Sequence, residues 1–149
     1  YIMGHSELHT AVQEGLKVYF CLFDNKGWGC IENLQNGQGT DTYGTVFKTR
    51  NPKTGMLDGP DVQVDFAKNA EAYGLKTYTV TTLEELRAAL TDAKKQDRPV
   101  LFDIKVLPGS MTPGYANWWR VGVAEVSTSK RVQDAYESMC AHVKETRDY

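Results

Sequence analysis

Hydrophobic residues recur at helical spacing in four segments of the chain, and capping residues mark where these segments begin and end. Asp65 stands before the second segment as an N-cap, while Thr82 and Glu85 have the spacing of a capping box before the third. Gly15 and Gly74 are placed to end the first and second segments. The pattern predicts helices over residues 5–14, 66–73, 83–93 and 132–143.

Short apolar runs between these segments predict the strands. Residues 18–23 are continuously apolar, which is typical of a parallel strand that is buried on both faces. Residues 100–106 are similar, although Asp103 and Lys105 indicate that one face reaches solvent or a site. Two weaker strands are predicted over residues 76–80 and 62–64.

Helices and strands therefore alternate along the chain, which predicts an α/β fold with a parallel sheet and helices on both faces. We expect the runs 18–23 and 100–106 to be parallel neighbours or near-neighbours in that sheet. The chain opens with a helix and not with the strand that should precede it. We therefore expect the N-terminal βα unit to be truncated and residues 1–149 to be a fragment of a larger protein.

Residues 25–61 show little periodicity and are rich in Gly, Asn, Asp, Thr and Pro. A loop of this length inside a compact domain is usually functional or disordered, and a mobile surface insertion is the alternative interpretation. Its position favours function, because it begins at the carboxyl end of a buried strand, where open α/β sheets bind ligands.

Composition narrows the classes of function. The chain has 149 residues, enough for one ordinary domain, and a formal net charge of −2. This charge gives no electrostatic reason to expect nucleic acid or an anionic membrane as a partner. Three cysteines without a CxxC pair indicate a reducing compartment, and we expect Cys21, Cys30 and Cys140 to be buried fillers. These observations favour a cytoplasmic protein.

The strongest candidate for chemistry is the segment directly after the first strand. Asn25 offers a neutral oxygen ligand to a hard cation such as Mg²⁺, and the backbone carbonyl of Gly27 offers another. Gly27 and Gly29 permit backbone conformations that approach a phosphate closely. The alternative is a tight turn in which Asn and Gly are present only for their dihedral angles.

Two further motifs carry weaker signals. His5 and His9 lie four residues apart on the first predicted helix, but Glu7 is not at the position that zinc proteases require, so we expect two solvated histidines. The run Trp118-Trp119-Arg120 is suited either to stacking on a planar ligand or to packing at a subunit contact.

The order of helix, buried strand and Asn25-Lys26-Gly27 resembles part of the signature of thiamine diphosphate (ThDP) enzymes, in their C-terminal diphosphate-binding domain. The signature begins with Gly-Asp-Gly, which is absent here and would fall just before Tyr1. Residues 65–67, 73–74 and 99–106 also resemble later elements of that domain. The resemblance implies the ThDP-binding fold, with ThDP and Mg²⁺ as cofactors.

Carried over residue by residue, the resemblance implies a partial site. Asn25 matches the side-chain ligand of Mg²⁺ and Gly27 the backbone ligand, and the cofactor-binding residues are Asn25, Gly27, Trp28 and Gly29. The signature's aspartate is missing, and the glutamate that activates the cofactor lies in another domain of these enzymes. The resemblance thus implies no catalytic residue in this fragment, which we expect to be inactive alone.

Longer strings are similar to one hydrolase branch of the superfamily, which opens a cyclic diketone with water in myo-inositol catabolism. They occupy residues 23–35, 44–51, 57–60 and 104–127. This similarity implies a small-molecule diketone as substrate and a homo-oligomer when full length. Two alternatives stay open: another ThDP enzyme of the acetolactate synthase type, and a noncatalytic α/β domain whose long loop binds a partner or a nucleotide.

Overall fold

The computed structural model describes residues 1–110 and 122–146, and this part of the chain contains five helices and three strands. In chain order they are α1 Glu7–Gln13, β1 Tyr19–Asp24, α2 Gly29–Gly37, α3 Phe66–Ala72, β2 Lys76–Val80, α4 Leu83–Ala93, β3 Val100–Lys105 and α5 Lys130–Lys144. The Trp118-Trp119-Arg120 run lies outside the described residues.

The three strands form one parallel sheet in the order β1-β3-β2. Tyr19 of β1 and Lys76 of β2 both lie opposite Val100 of β3. The prediction that the two apolar runs are parallel neighbours is therefore confirmed. Because all three strands point the same way, their carboxyl ends lie at one edge of the sheet, where ligands of open α/β sheets bind.

Helices pack on both faces of this sheet, as predicted. On one face, Val100 and Phe102 of β3 pack with Ala89 and Ala93 of α4. On the other face, Leu101 of β3 packs with residues of α1 and α3, including Leu8 and Ala70. The alternation of Val100, Leu101 and Phe102 between the two faces explains why β3 is apolar without interruption in its first half.

The predicted helix boundaries are confirmed where the caps are local. The Asp65 carboxylate accepts a hydrogen bond from the backbone N–H of Lys68 at 2.9 Å. Thr82 and Glu85 form both bonds of a capping box at the start of α4. Gly74, which follows α3, has a φ of 98°, a left-handed conformation that favours glycine.

The prediction that β1 is buried on both faces is wrong. Tyr19, Cys21 and Phe23 are exposed, and the exposed fraction of Phe23 is 64%. The reason is that β1 lies at an edge of the sheet formed by the described residues, whereas α4, which covers this face, packs against β2 and β3. The cysteines are not buried fillers either, since Cys21 and Cys30 are exposed.

Two predictions about residues 25–64 are also wrong. Residues 25–61 are not irregular throughout, because α2 occupies Gly29–Gly37. Its sequence contains glycine and asparagine, which have low helix propensity, and Ile31 and Leu34 are exposed, so the helical pattern is weak. Residues 62–64 form no strand; instead, Asp61 makes a single antiparallel bridge with Lys48.

The chain divides into two compact units. The first consists of Tyr1–Asn25 and Gln63–Pro108 and contains the sheet with α1, α3 and α4. The second consists of Lys26–Val62 and Gly109–Tyr149 and contains α2 and α5. None of the helices in the described part of the chain combines the length and the apolar character needed to cross a membrane.

Candidate diphosphate and metal site

The candidate site begins where β1 ends. Asn25 is half-buried directly after the strand, and its backbone N–H donates to the Phe23 carbonyl oxygen at 3.1 Å. Lys26 then adopts a φ of 65°, a left-handed conformation that is uncommon for a residue with a side chain. The chain therefore turns sharply at Lys26, between the two predicted metal ligands Asn25 and Gly27.

Gly27 is held in a short antiparallel bridge with Val46. The hydrogen bonds of this bridge come from the flanking residues: Phe47 N–H donates to the Lys26 carbonyl at 2.8 Å, and Trp28 N–H donates to the Thr45 carbonyl at 2.6 Å. In such a pair, the polar groups of the bridged residue itself point away from its partner. The Gly27 carbonyl thus lies outside the ladder, as a backbone ligand requires.

A side chain at position 27 has no space. A Cβ atom built on Gly27 would lie 2.6 Å from the Thr45 carbonyl oxygen and 3.2 Å from the Val46 Cα. Glycine is therefore needed here for close approach of two backbone segments, and its φ is not positive.

Trp28 and Gly29 start helix α2. The Trp28 ring meets the Phe47 ring edge to face, with centroids 5.6 Å apart, so this side chain packs against its own unit. Gly29 is buried, and the side chain of the N-cap residue Trp28 makes no cap hydrogen bond. The N–H groups in the first turn of a helix carry partial positive charge and suit a phosphate. The assignment of Trp28 and Gly29 to the cofactor stays a prediction.

A charged cluster that sequence reasoning did not assign to the site lies at the carboxyl ends of β1 and β3. Lys105 Nζ donates to Asp24 Oδ2 at 2.9 Å and to Asp103 Oδ2 at 2.8 Å. Both aspartate side chains are almost fully buried. Burial alone would lower the pKa of Lys105, but the hydrogen bonds to Asp103 and Asp24 outweigh it, so the pKa is raised.

The residues after β1 suit a magnesium-bound diphosphate in their chemistry. Asn25 supplies an amide oxygen, and Gly27 supplies a carbonyl oxygen outside its ladder, both of the kind that Mg²⁺ prefers. At the start of α2, where Trp28 makes no side-chain cap bond, backbone N–H groups are suited to a phosphate. Among the described residues, no group of three or more His, Cys, Asp or Glu could hold a metal.

Comparison with known proteins identifies the family of this chain. The family described as "Thiamine pyrophosphate enzyme, C-terminal TPP binding domain" matches residues 1–104. The chain belongs to this family. The match includes the turn after β1 and nearly all of the sheet, so the resemblance inferred from Asn25-Lys26-Gly27 is confirmed at the level of the family.

Curated relatives extend the match to the whole chain. Proteins named 3D-(3,5/4)-trihydroxycyclohexane-1,2-dione hydrolase from Bacillus thuringiensis and Geobacillus thermodenitrificans are each 55% identical to this TPP-binding domain over 149 residues. The match covers 100% of this chain and 23% of each relative. The chain therefore spans about a quarter of the length of these relatives.

A solved structure supports the α/β fold. The Rhodococcus jostii RHA1 thiamine diphosphate-dependent 4-hydroxybenzoylformate decarboxylase is 26% identical, with a TM-score of 0.50. The match covers 70% of this chain and 17% of that one. The fold predicted from the alternating pattern is thus the fold that the ThDP-binding relative shares.

The histidine pair of this TPP-binding domain does not form the predicted arrangement. Helix α1 begins at Glu7, so only His9 lies within it, and His9 is exposed as expected. His5 is half-buried beside the rings of Tyr1 and Tyr73. The prediction of two solvated helix histidines is therefore correct for His9 and wrong for His5.

The cluster of Lys105, Asp24 and Asp103 can be recognised in part from the sequence. Two charged residues interrupt the apolar run of β3, and an aspartate follows the apolar run of β1. A charge within a buried parallel strand needs a partner, which predicts an ion pair without naming its members. The parallel register, which places Asp24 opposite Lys105, identifies them.

Proposed function

We propose that this chain supplies the diphosphate- and Mg²⁺-binding part of a ThDP-dependent hydrolase. The full-length enzyme would open the ring of 3D-(3,5/4)-trihydroxycyclohexane-1,2-dione with water and give 5-deoxyglucuronic acid in myo-inositol catabolism. The observation that carries this proposal is the 55% identity over all 149 residues to relatives of that name. Because the chain spans 23% of those relatives, the activity is proposed for the longer protein.

In this proposal, the residues after β1 bind and orient the cofactor. The Asn25 side-chain oxygen and the Gly27 carbonyl would be ligands of Mg²⁺, while the start of α2 at Gly29 would approach the diphosphate. The Trp28 ring, packed on Phe47, would stabilise that approach. When bound, ThDP supplies the carbanion stabilisation that cleaves a carbon–carbon bond, and the protein supplies position and electrostatics.

The proposed setting is a cytoplasmic homo-oligomer that acts on a small-molecule diketone, without a nucleic acid or a membrane as partner. The three cysteines are free thiols, which fits a reducing compartment. The formal net charge of −2 gives no electrostatic attraction to polyanions.

The test uses the full-length protein and measures ring opening of the diketone by chromatographic detection of 5-deoxyglucuronic acid. We expect product only when both ThDP and Mg²⁺ are present, and we expect chelation of the metal to stop the reaction. Turnover of pyruvate in place of the diketone would support the acetolactate synthase alternative. If the protein binds ThDP but turns over neither the diketone nor pyruvate, the hydrolase assignment is overturned. If it does not bind ThDP, the noncatalytic alternative is supported.

A further inference from the structure

The carboxyl end of β1 is joined to β3 by the Lys105 side chain, and this contact points to a role in cofactor binding. We propose that Lys105 is a positioning residue: through Asp24 it holds the backbone that carries Asn25. This inference rests on the proposed function, because it concerns the same Mg²⁺ and diphosphate. It goes further by assigning a role to a residue of β3, 80 positions after Asn25 in the chain.

Two contacts join the end of β1 to the end of β3, and a third, between Lys105 and Asp103, lies within β3. Lys105 Nζ lies 2.9 Å from Asp24 Oδ2 and 2.8 Å from Asp103 Oδ2. In the backbone, Val106 N–H donates to the Asp24 carbonyl oxygen at 3.3 Å. Asp24 lies opposite Lys105 in the parallel register, so the ion pair follows directly from strand pairing. All of these contacts fall within the first unit.

Burial makes the loss of either partner of these ion pairs costly. The exposed fractions of the Asp24 and Asp103 side chains are 2% and 1%, and that of Lys105 is 26%. Asp103 Oδ1 is buried and has no hydrogen-bond partner among the described residues. Removing Lys105 would leave two buried carboxylates without this cation, and such a loss is far more disruptive than the loss of an exposed ion pair.

The position of β1 in the sheet explains why the ion pair between Lys105 and Asp24 affects Asn25. Within the described sheet β1 is an edge strand with β3 on one side only, so its end depends on contacts with β3. Asp24 and Asn25 share a peptide bond, and a shift of one moves the other. Mg²⁺ demands near-ideal octahedral geometry, so a small displacement of a ligand oxygen weakens binding.

The Lys105 side chain is itself fixed by packing. Its Nζ lies 5.7 Å from the centroid of the Phe66 ring, and Phe66 at the start of α3 is buried. A lysine held by two carboxylates and an aromatic face has little freedom to reach a ligand. It therefore acts through Asp24 and not by direct contact with the cofactor.

The test measures Mg²⁺-dependent ThDP binding by calorimetry in the full-length protein, with Lys105→Met, Lys105→Arg and Asp24→Asn variants. Groups that orient metal ligands typically contribute about 10- to 100-fold to metal affinity, and we expect a loss of that size for Lys105→Met and Asp24→Asn. Lys105→Arg keeps the charge and should restore most of the affinity. Asp24→Asn leaves Lys105 paired with Asp103, so it is the informative variant if Lys105→Met does not fold.

The matched control is Lys130→Met, which removes an exposed ion pair with Asp134 on α5. It should bind cofactor like the parent. For Lys105→Met, the ThDP concentration that gives half-maximal activity should be higher than for the parent, while the rate at saturating cofactor should be close to the parent's. A variant with reduced thermal stability but unchanged cofactor affinity would reduce Lys105 to a structural role and overturn the proposal.

A double variant tests whether Lys105 acts through Asn25, and the binding measured for the parent protein tests the proposed function separately. If Lys105 acts through Asn25, Asn25→Ala/Lys105→Met should lose no more affinity than Asn25→Ala alone. Additive losses would show that Lys105 acts independently and would overturn the inference. Failure of the parent protein to bind Mg²⁺ and ThDP would instead contradict the proposed function itself.

Discussion

Gly27 lies so close to Thr45 that a Cβ atom at position 27 would stand 2.6 Å from the Thr45 carbonyl oxygen. The obstacle is backbone, which is itself held by the hydrogen bond from Trp28 N–H. The turn after β1 is therefore a place where two chain segments meet with no tolerance for a side chain. This closeness leads to the first prediction.

Gly27→Ala should separate the bridge between Gly27 and Val46. Forcing a methyl group into a filled space typically costs about 1–3 kcal/mol, so we expect a lower melting temperature and faster amide exchange in Lys26–Val62. Gly4→Ala is the matched control, because a Cβ at Gly4 has no atom within 4 Å and its φ is not positive. Equal melting temperatures for Gly27→Ala and the parent would contradict the close approach.

Asn25→Ala should weaken cofactor binding in the full-length enzyme. Groups that only orient a metal ligand contribute about 10- to 100-fold to metal affinity, so loss of a ligand itself should cost at least as much. Excess ThDP and Mg²⁺ should restore part of the rate. The measurement is a cofactor titration of activity.

Asn25→Asp is the matched variant for this titration. It keeps an oxygen at the same position and adds a charge that Mg²⁺ accepts, so it should retain more affinity than Asn25→Ala. If Asn25→Ala titrates like the parent, Asn25 serves only the turn, and the metal assignment is wrong.

Tyr78 and Asp92 form a pair whose pH dependence can be measured. The Tyr78 hydroxyl donates to Asp92 Oδ2 at 2.6 Å. Burial, followed by this bond to a carboxylate, raises the pKa of Tyr78 to about 12, while the same bond lowers the pKa of Asp92. The contribution of protonated Tyr78 to folding stability is fully present below its usual pKa of 10.0. It is lost as pH rises through about 12.

A titration of phenolate absorbance tests this pair, with Tyr78→Phe to identify the signal of Tyr78. Asp92→Asn should bring the pKa of Tyr78 back toward its usual value without reaching it, since burial persists. Asp92 makes stability depend on pH in the opposite direction. Its contribution to folding stability is present above its usual pKa of 3.8 and is lost as pH falls through the lowered pKa. An unchanged Tyr78 titration in Asp92→Asn would contradict the hydrogen bond.

The helix caps give a paired test of stability. Thr82 Oγ1 accepts from Glu85 N–H at 3.1 Å, whereas Ser129, at the same position of α5, makes no side-chain cap bond. Thr82→Ala should lower the free energy of unfolding by about 1 kcal/mol, and Ser129→Ala should change it by less than about 0.5 kcal/mol. Denaturant melts monitored by circular dichroism measure both, and equal effects would count against the cap at α4.

Features that depend on near neighbours in the chain are those that the sequence predicts correctly. The capping box of Thr82 and Glu85 spans four residues, and the N-cap bond of Asp65 reaches only to Lys68. Apolar periodicity is local in the same way, so the strands and their alternation with helices could be recognised. The Asn25-Lys26-Gly27 motif also lies within three residues, which is why its family could be recognised before the fold was known.

Features that depend on distant segments were decided by tertiary structure. The exposure of Phe23 follows from which strands α4 covers, and apolar character alone could not reveal it. Gly27 is required because Thr45 approaches it, and the sequence does not state that contact. The ion pair of Lys105 with Asp24 joins residues 81 positions apart. Strand order and register bring such groups together, so the charges were visible in the sequence but their partners were not.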